Sequence, residues 1–252
     1  MSAVAASPLP YTEDRLLGGR VRLRQPKEGY RVAIDPVFLA AAVAAEPRQV
    51  VLDVGCGTGA AMLCLAARVP EVRVVGLETQ RDLVRLAGDN VILNGMEARA
   101  SVMIGDLLQP PPRLSPGAFD HVMSNPPFNE RGGSVAPAAL GKAEATIEGE
   151  ADLAAWVRFS LAMVRSKGTV TFIHRADRID ALFGQIAGRA GEVVIFPLWP
   201  GPGRPASRVL VRVRKQTAAP ARLAPGLVLH EPDGRLTAAA EAVLREGRGL
   251  EL

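Results

Sequence analysis

A chain of 252 residues with 48% hydrophobic and 22% charged residues has the length for one sizeable α/β domain with appendages, and its balance excludes a disordered chain. Two cysteines, Cys56 and Cys64, exclude a disulfide framework and lack the company needed for a metal site, so no metal is expected. The longest apolar run, Val37 to Ala45, is too short to span a bilayer, and the net charge of +4 leaves the class of partner open.

Residues 1–10 have no periodicity and read as loose. They show no basic start followed by an apolar core, so no secretory leader and a reducing cytoplasm are expected. From Leu16 to Leu23, apolar and basic residues alternate after Gly18-Gly19, which predicts a short hairpin or edge strand. Asp35 before Pro36 predicts a helix start, with the carboxylate as N-cap, Pro at the first helical position, and the helix running to about Ala45. Val50 to Val54 reads as a buried parallel strand, Gly55-Cys56-Gly57-Thr58-Gly59 as a turn, and Ala60 to Arg68 as a helix.

Val72 to Leu77, ending in Glu78, predicts a second strand of the sheet, and Gln80 to Leu93 a helix stopped by Asn94-Gly95. Ala100 to Ile104, ending at Gly105-Asp106, is the third strand, and Phe119 to Ser124 the fourth, ending in Asn125-Pro126-Pro127-Phe128. Residues 129–149, rich in Gly, Ala and Pro, read as a loop beside a site. A helix over Ala151–Arg165, a strand over Gly168–Ile173 and a helix over Ile179–Arg189 follow. Further strands are expected over Glu192–Pro197 and Arg208–Val213, then a tail with a short strand at Leu227–His230 and a helix at Thr237–Arg245. Alternating strands and helices predict a doubly wound, seven-stranded, mostly parallel Rossmann-like sheet. The expected organisation is an N-terminal extension over 1–47 that covers the site, a main domain over 48–216, and a tail over 217–252 packed on it.

Strand, glycine turn and helix together are the recipe for a nucleotide-like cofactor site, because glycine lets the chain turn sharply and leaves its main chain bare. Gly55-x-Gly57-x-x-Ala60 with Glu78 fits a nicotinamide fingerprint, but a carboxylate at the second strand's end binds ribose in several cofactor families. Two features favour another cofactor. Asp53 lies two residues before Gly55, where it could pair an ammonium group, and Gly59 extends the loop to suit an amino-acid tail. At the fourth strand's end, the Asn125 side-chain oxygen and the carbonyl of the following Pro126 form two convergent acceptors. They suit a planar NH₂ group, and Phe128 can stack on the flat system that carries it. Holding both hydrogens aims the nitrogen lone pair at an electrophile, which is catalysis by positioning.

Taken together, Asp53 to Gly59, Glu78, Asp106 and Asn125-Pro126-Pro127-Phe128 resemble the class I S-adenosylmethionine-dependent N-methyltransferases. Gln25 to Asp35, Phe172 to Arg175 and Ala206 to Val211 are similar to the bacterial tRNA1(Val) adenine-N6 methyltransferase family. The resemblance implies S-adenosyl-L-methionine as cofactor, with Gly55, Gly57 and Gly59 along its methionine part and Glu78 on its ribose. It also implies Asp106 at the adenine amine, Asp35 closing over the methionine end, and Asn125 to Phe128 holding the target amine and base. One departure stands out, since the family's acidic-and-histidine stretch after the substrate loop reads Ala145-Thr146-Ile147-Glu148 here, without the His.

Two basic segments give the partner. Residues 15–31 carry six Lys or Arg against Glu28, and residues 201–222 carry six more with no acid, which leaves the rest of the chain net negative. They predict a polyanion surface and so an RNA substrate, tRNA first, with no membrane involved. The expected reaction is methyl transfer to adenine N6. Guanine N2 of rRNA, glutamine N5 of a protein factor, and an RNA-binding module without turnover are the alternatives. His121 and His230 are expected to be structural, and the role of His174 is open.

Overall fold

The computed structural model describes residues 9–28, 31–127 and 151–252. Tyr11–Leu16 (β1) and Val21–Pro26 (β2) pair antiparallel around a 3-10 turn at Leu17–Gly19, forming a hairpin apart from the main sheet. Its second strand matches the expected alternation, whereas the first begins five residues earlier than the sequence suggests. Asp35–Ala42 (α1) is wholly buried. Ile34, not Asp35, occupies its N-cap position, and no side chain caps it. The helix also ends at Ala42, three residues short of the expected end.

Val50–Val54 (β3), Arg73–Glu78 (β4), Ala100–Ile104 (β5) and Phe119–Ser124 (β6) are the parallel strands, with Ala60–Arg68 (α2) and Arg81–Leu93 (α3) crossing between them. Leu153–Met163 (α4) then leads directly into Val164–Arg175 (β7), which pairs parallel with β6. The sequence places that boundary later, at Arg165 and Gly168. Lys167 takes the left-handed conformation at φ +59°, and a Cβ at Gly168 would stand 2.5 Å from the Asp120 carbonyl. The strand therefore starts with an irregular stretch that no periodicity marks. Ile179–Ile186 (α5), Ala190–Trp199 (β8) and Arg208–Lys215 (β9) follow, and β9 inserts antiparallel between β7 and β8. Two-residue strands Arg222–Leu223 (β10) and Leu227–Val228 (β11) flank β8, before a final helix, Ala238–Leu244 (α6).

The strand order β5-β4-β3-β6-β7-β9-β8 gives the seven expected strands, and the two short additions bring the sheet to nine. Both faces are covered, as a parallel sheet requires. One layer joins α1, α2 and the inner side of the hairpin through Phe38, Leu39, Met62, Leu63 and Leu23; the other joins α4 and α5 through Val157, Phe159, Phe172 and Leu182. The chain reverses direction across the sheet between β3 and β6, so a crevice opens at their carboxyl ends. No helix among the described residues is long and apolar enough to cross a membrane.

The hairpin is seated on α3 by two asparagines one turn apart. Asn94 Oδ1 accepts from the Arg22 N–H at 2.8 Å, and its amide donates to the Arg22 carbonyl at 2.7 Å. Asn90 repeats the pattern at Arg24, at 2.7 and 2.8 Å. The two side chains thus stand in for a neighbouring strand along the β2 edge, satisfying groups that burial would otherwise leave unpaired.

Candidate active site at the strand switch point

A cavity of about 580 Å³ lies at the carboxyl ends of β3, β4, β5 and β6. Asp53, Gly55, Gly57, Glu78, Asp106, Asn125, Pro126 and Pro127 all line it, so residues 72 positions apart in sequence meet in one crevice. Its volume is that of a pocket for a cofactor-sized molecule. Phe128 and residues 129–149 lie outside the described residues.

Each wall follows from local structure. Gly55 and Gly57 take φ of +70° and +54°, conformations that L side chains rarely adopt, and so present bare main chain to the cavity. The Glu78 carboxylate fixes the loop: Oε2 accepts from the Gly57 N–H at 3.0 Å, while Oε1 accepts from the N–H groups of Thr79 and Gln80, both at 2.9 Å. Asp106 accepts from the Leu108 N–H at 2.9 Å, which orients its carboxylate at the far end. Ser124, the last residue of β6, donates to the Val54 carbonyl at 3.0 Å, and this clamps the Asn125 turn to the strand that carries the glycine loop.

Asp53 is buried, and its Oδ2 has no hydrogen-bond partner. Burial raises its carboxyl to about 7, the Met62 backbone opposes this, and the charge of Glu78 adds to it. A cationic ligand group placed against Asp53 would relieve that cost. Ligand binding should therefore release a proton below pH 7 and strengthen as pH rises towards it. The empty protein has the opposite trend. A carboxyl whose folded pKa lies above the ordinary 3.8 stabilises the fold at low pH, and that contribution is lost as pH rises through 7. Titration calorimetry in two buffers of different ionisation enthalpy checks the release, and Asp53→Asn should remove it.

Two expected ligands are neighbours of lining residues and do not themselves line the cavity. Asp35, next to the lining residue Pro36, is buried, and its Oδ2 accepts from the Arg208 Nε–H at 2.9 Å, tying the start of α1 to β9. Gly59 is the N-cap of α2 at φ +86°; its N–H donates to the Cys56 carbonyl, and its own carbonyl accepts from Leu63. It shapes the turn without forming the cavity surface.

Trp156 on α4 is a lining residue that the sequence reading missed. A Cβ at Gly55 would stand 2.5 Å from its ring, so the indole covers the first glycine of the loop, and its Nε1 has no partner. The histidines divide. His121 bonds to Thr169 at 2.7 Å and Gln49 at 2.9 Å, and His230 to the Pro200 carbonyl at 3.0 Å. His174 is buried at the end of β7 with both ring nitrogens unpartnered, and desolvation pulls it down to about 4.

The basic segments also separate. β9 runs antiparallel to β7, so Arg208 pairs with Arg175 at the cavity end of the sheet and Arg214 with Thr169 at the other, roughly 20 Å away at 3.3 Å per residue. Arg214 is held by Glu192 at 2.6 Å, and Lys215 by the Val164 carbonyl at 2.8 Å. From the second segment, Arg204 and Arg208 stand at the cavity end.

Residues 32–155 match the family model described as the methyltransferase small domain. The tRNA1(Val) (adenine(37)-N6)-methyltransferase of Bacteroides thetaiotaomicron is 34% identical over 99 residues, 39% of this chain and 40% of that protein. The release factor glutamine methyltransferase of Geobacter sulfurreducens is 37% identical over 78 residues, 31% of this chain and 26% of that one. The chain thus spans less than half the length of these relatives. Among solved structures, a predicted O-methyltransferase, protein Atu636 from Agrobacterium tumefaciens, superposes with a TM-score of 0.71 at 25% identity, covering 86% of this chain and 98% of that one.

Proposed function

With residues 32–155 matching the methyltransferase small domain model, we propose that this protein methylates the exocyclic N6 amine of adenine in a structured RNA, tRNA first. The observation that carries the reading is the meeting of Asn125-Pro126-Pro127 with the glycine loop in one crevice. The residues present fit S-adenosyl-L-methionine as the methyl donor, since the unpartnered Oδ2 of Asp53 suits an ammonium and Glu78 suits a ribose diol. Gly57 leaves the main chain open to a close approach, and Asp106 can accept from an adenine amine. When bound, the cofactor supplies an electrophilic methyl group.

The chain's own residues then act by positioning. The Asn125 Oδ1 and the Pro126 carbonyl accept the two N–H bonds of the target amine and hold its lone pair towards the methyl group. As the nitrogen gains positive charge both acceptors bind it more strongly, so the interaction grows where the barrier is highest. One amine proton then leaves to solvent, and no strong base is required. Phe128 is proposed to stack on the base. Phosphates are proposed to meet the hairpin and the cavity end of β9, and this predicts binding that weakens steeply with salt.

An amide NH₂ of glutamine also fits two acceptors, and the Geobacter relative's name keeps that reading alive. Guanine N2 offers the same chemistry. A hydroxyl, as in the Agrobacterium protein's description, has one hydrogen to give and would leave one acceptor unused. Nucleoside mass spectrometry of tRNA from cells lacking the protein separates these. N6-methyladenosine should fall and return with the parent gene but not with Asn125→Ala. Unchanged N6-methyladenosine alongside a lost N2-methylguanosine or a lost protein methylation would overturn the reading.

A further inference from the structure

The hairpin holds an arrangement that, Pro26 apart, lies outside the cavity. Its register sets Tyr11 opposite Pro26, Glu13 opposite Arg24, and Arg15 opposite Arg22, so these six side chains share one face. The other face is buried at one end by Val21 and Leu23, and Gln25 beside them donates to Asp14 at 2.7 Å. On the outer face the Arg24 guanidinium lies 5.1 Å from the centre of the Tyr11 ring, yet the tyrosine remains 47% exposed. Glu13 reaches Arg22 at 2.8 Å and Arg24 at 3.6 Å, fixing both, and the three arginines still leave the face net positive. A tyrosine backed on one side by a guanidinium and open on the other is a stacking surface within a positive field.

Its position is also fixed relative to the cavity. Leu9 and Pro26, one just before β1 and the other paired with Tyr11, line the cavity. Asn90, which holds Arg24 by its backbone, donates as well to the carbonyl of Thr58 in the cofactor loop at 2.9 Å. The stacking face and the loop therefore share one buried anchor.

We propose that this face is a platform for the single-stranded part of the RNA substrate, on which Tyr11 stacks a base next to the target nucleotide while Arg15 and Arg22 meet its phosphates. The proposal rests on RNA being the substrate. Base–aromatic stacking tolerates sequence, so it would hold the strand without selecting it.

The test uses the full chain, Tyr11→Ala and Tyr11→Trp, with bulk tRNA and labelled oligoadenylate followed by anisotropy, and cofactor affinity by calorimetry. Tyr11→Ala should weaken binding of both nucleic acids roughly five- to a hundredfold, as expected for one lost stack. Tyr11→Trp should keep the parent affinity, and both variants should bind S-adenosyl-L-methionine as the parent does. Arg15→Ala should lower the salt slope of RNA binding by about one. If the parent methylates RNA and Tyr11→Ala binds it within twofold of the parent, the platform is wrong and the function stands. If the parent neither binds nor methylates RNA, both fall.

Discussion

Asn125→Ala is expected to lower methyl transfer at least a hundredfold while cofactor affinity and thermal stability stay near those of the parent. The change removes one of two acceptors that meet the amine, and loss of a single preorganised polar contact at a reacting centre costs roughly 10² to 10³ in rate. The remaining Pro126 carbonyl holds one N–H and leaves the amine free to rotate about it. Clean separation of the two effects is expected because Asn125 follows β6 and none of that strand's register contacts depends on its side chain. Ser124 keeps its bond to Val54 and still clamps the turn. Single-turnover transfer and cofactor calorimetry on the same preparation measure the two separately. Equal losses in affinity and rate would mean that the residue builds the cavity and does not orient the amine.

Gly55→Ala and Gly57→Ala are expected to fail for different reasons. At Gly55 the added methyl would meet Trp156 at 2.5 Å, in a backbone held at φ +70°. Left-handed strain and overpacking together should cost roughly 2–5 kcal/mol, which is a large share of a domain's stability. At Gly57 the strain is similar at φ +54°, but nothing stands within 4 Å of the new methyl. That variant should lose only about 1–2 kcal/mol of stability. Its methyl, however, would project from a wall of the cavity, so cofactor affinity should fall at least about tenfold, equal to 1.4 kcal/mol. Thermal melts without cofactor should rank the parent above Gly57→Ala and Gly57→Ala above Gly55→Ala. Parent-like cofactor affinity in Gly57→Ala would remove the loop from the binding site.

β3 and β4 were legible because each is a short Val-rich run ending at a glycine or a carboxylate, and burial on both faces needs no alternation. β5 and β6 fall where the sequence puts them. The site was legible for a related reason, since cavity residues such as Gly55, Glu78, Asp106 and Asn125 sit at strand ends that the fold itself brings together. Side chains whose role is set by distant partners were not legible. Trp156 looks like one more apolar residue of an amphipathic helix until its ring is seen against Gly55. Asp35 before Pro36 reads as a cap, but Arg208, 173 residues away, takes the carboxylate. Strand β1 was missed because Tyr-Thr-Glu-Asp-Arg-Leu carries little apolar signal, and its partner strand is held from outside by Asn90 and Asn94. The second basic segment looked continuous in sequence, whereas an antiparallel strand spreads it along the full height of the sheet.

Adenine N6 as the acceptor is the central claim, and transfer in a purified system tests it most directly. The protein would be incubated with methyl-labelled S-adenosyl-L-methionine and tRNA from cells lacking it, and the digested nucleosides separated by mass. Label should appear in N6-methyladenosine with the parent protein and be absent with Asn125→Ala. Label in N2-methylguanosine, in a hydroxyl group or in a protein glutamine, with none in adenine, would contradict it.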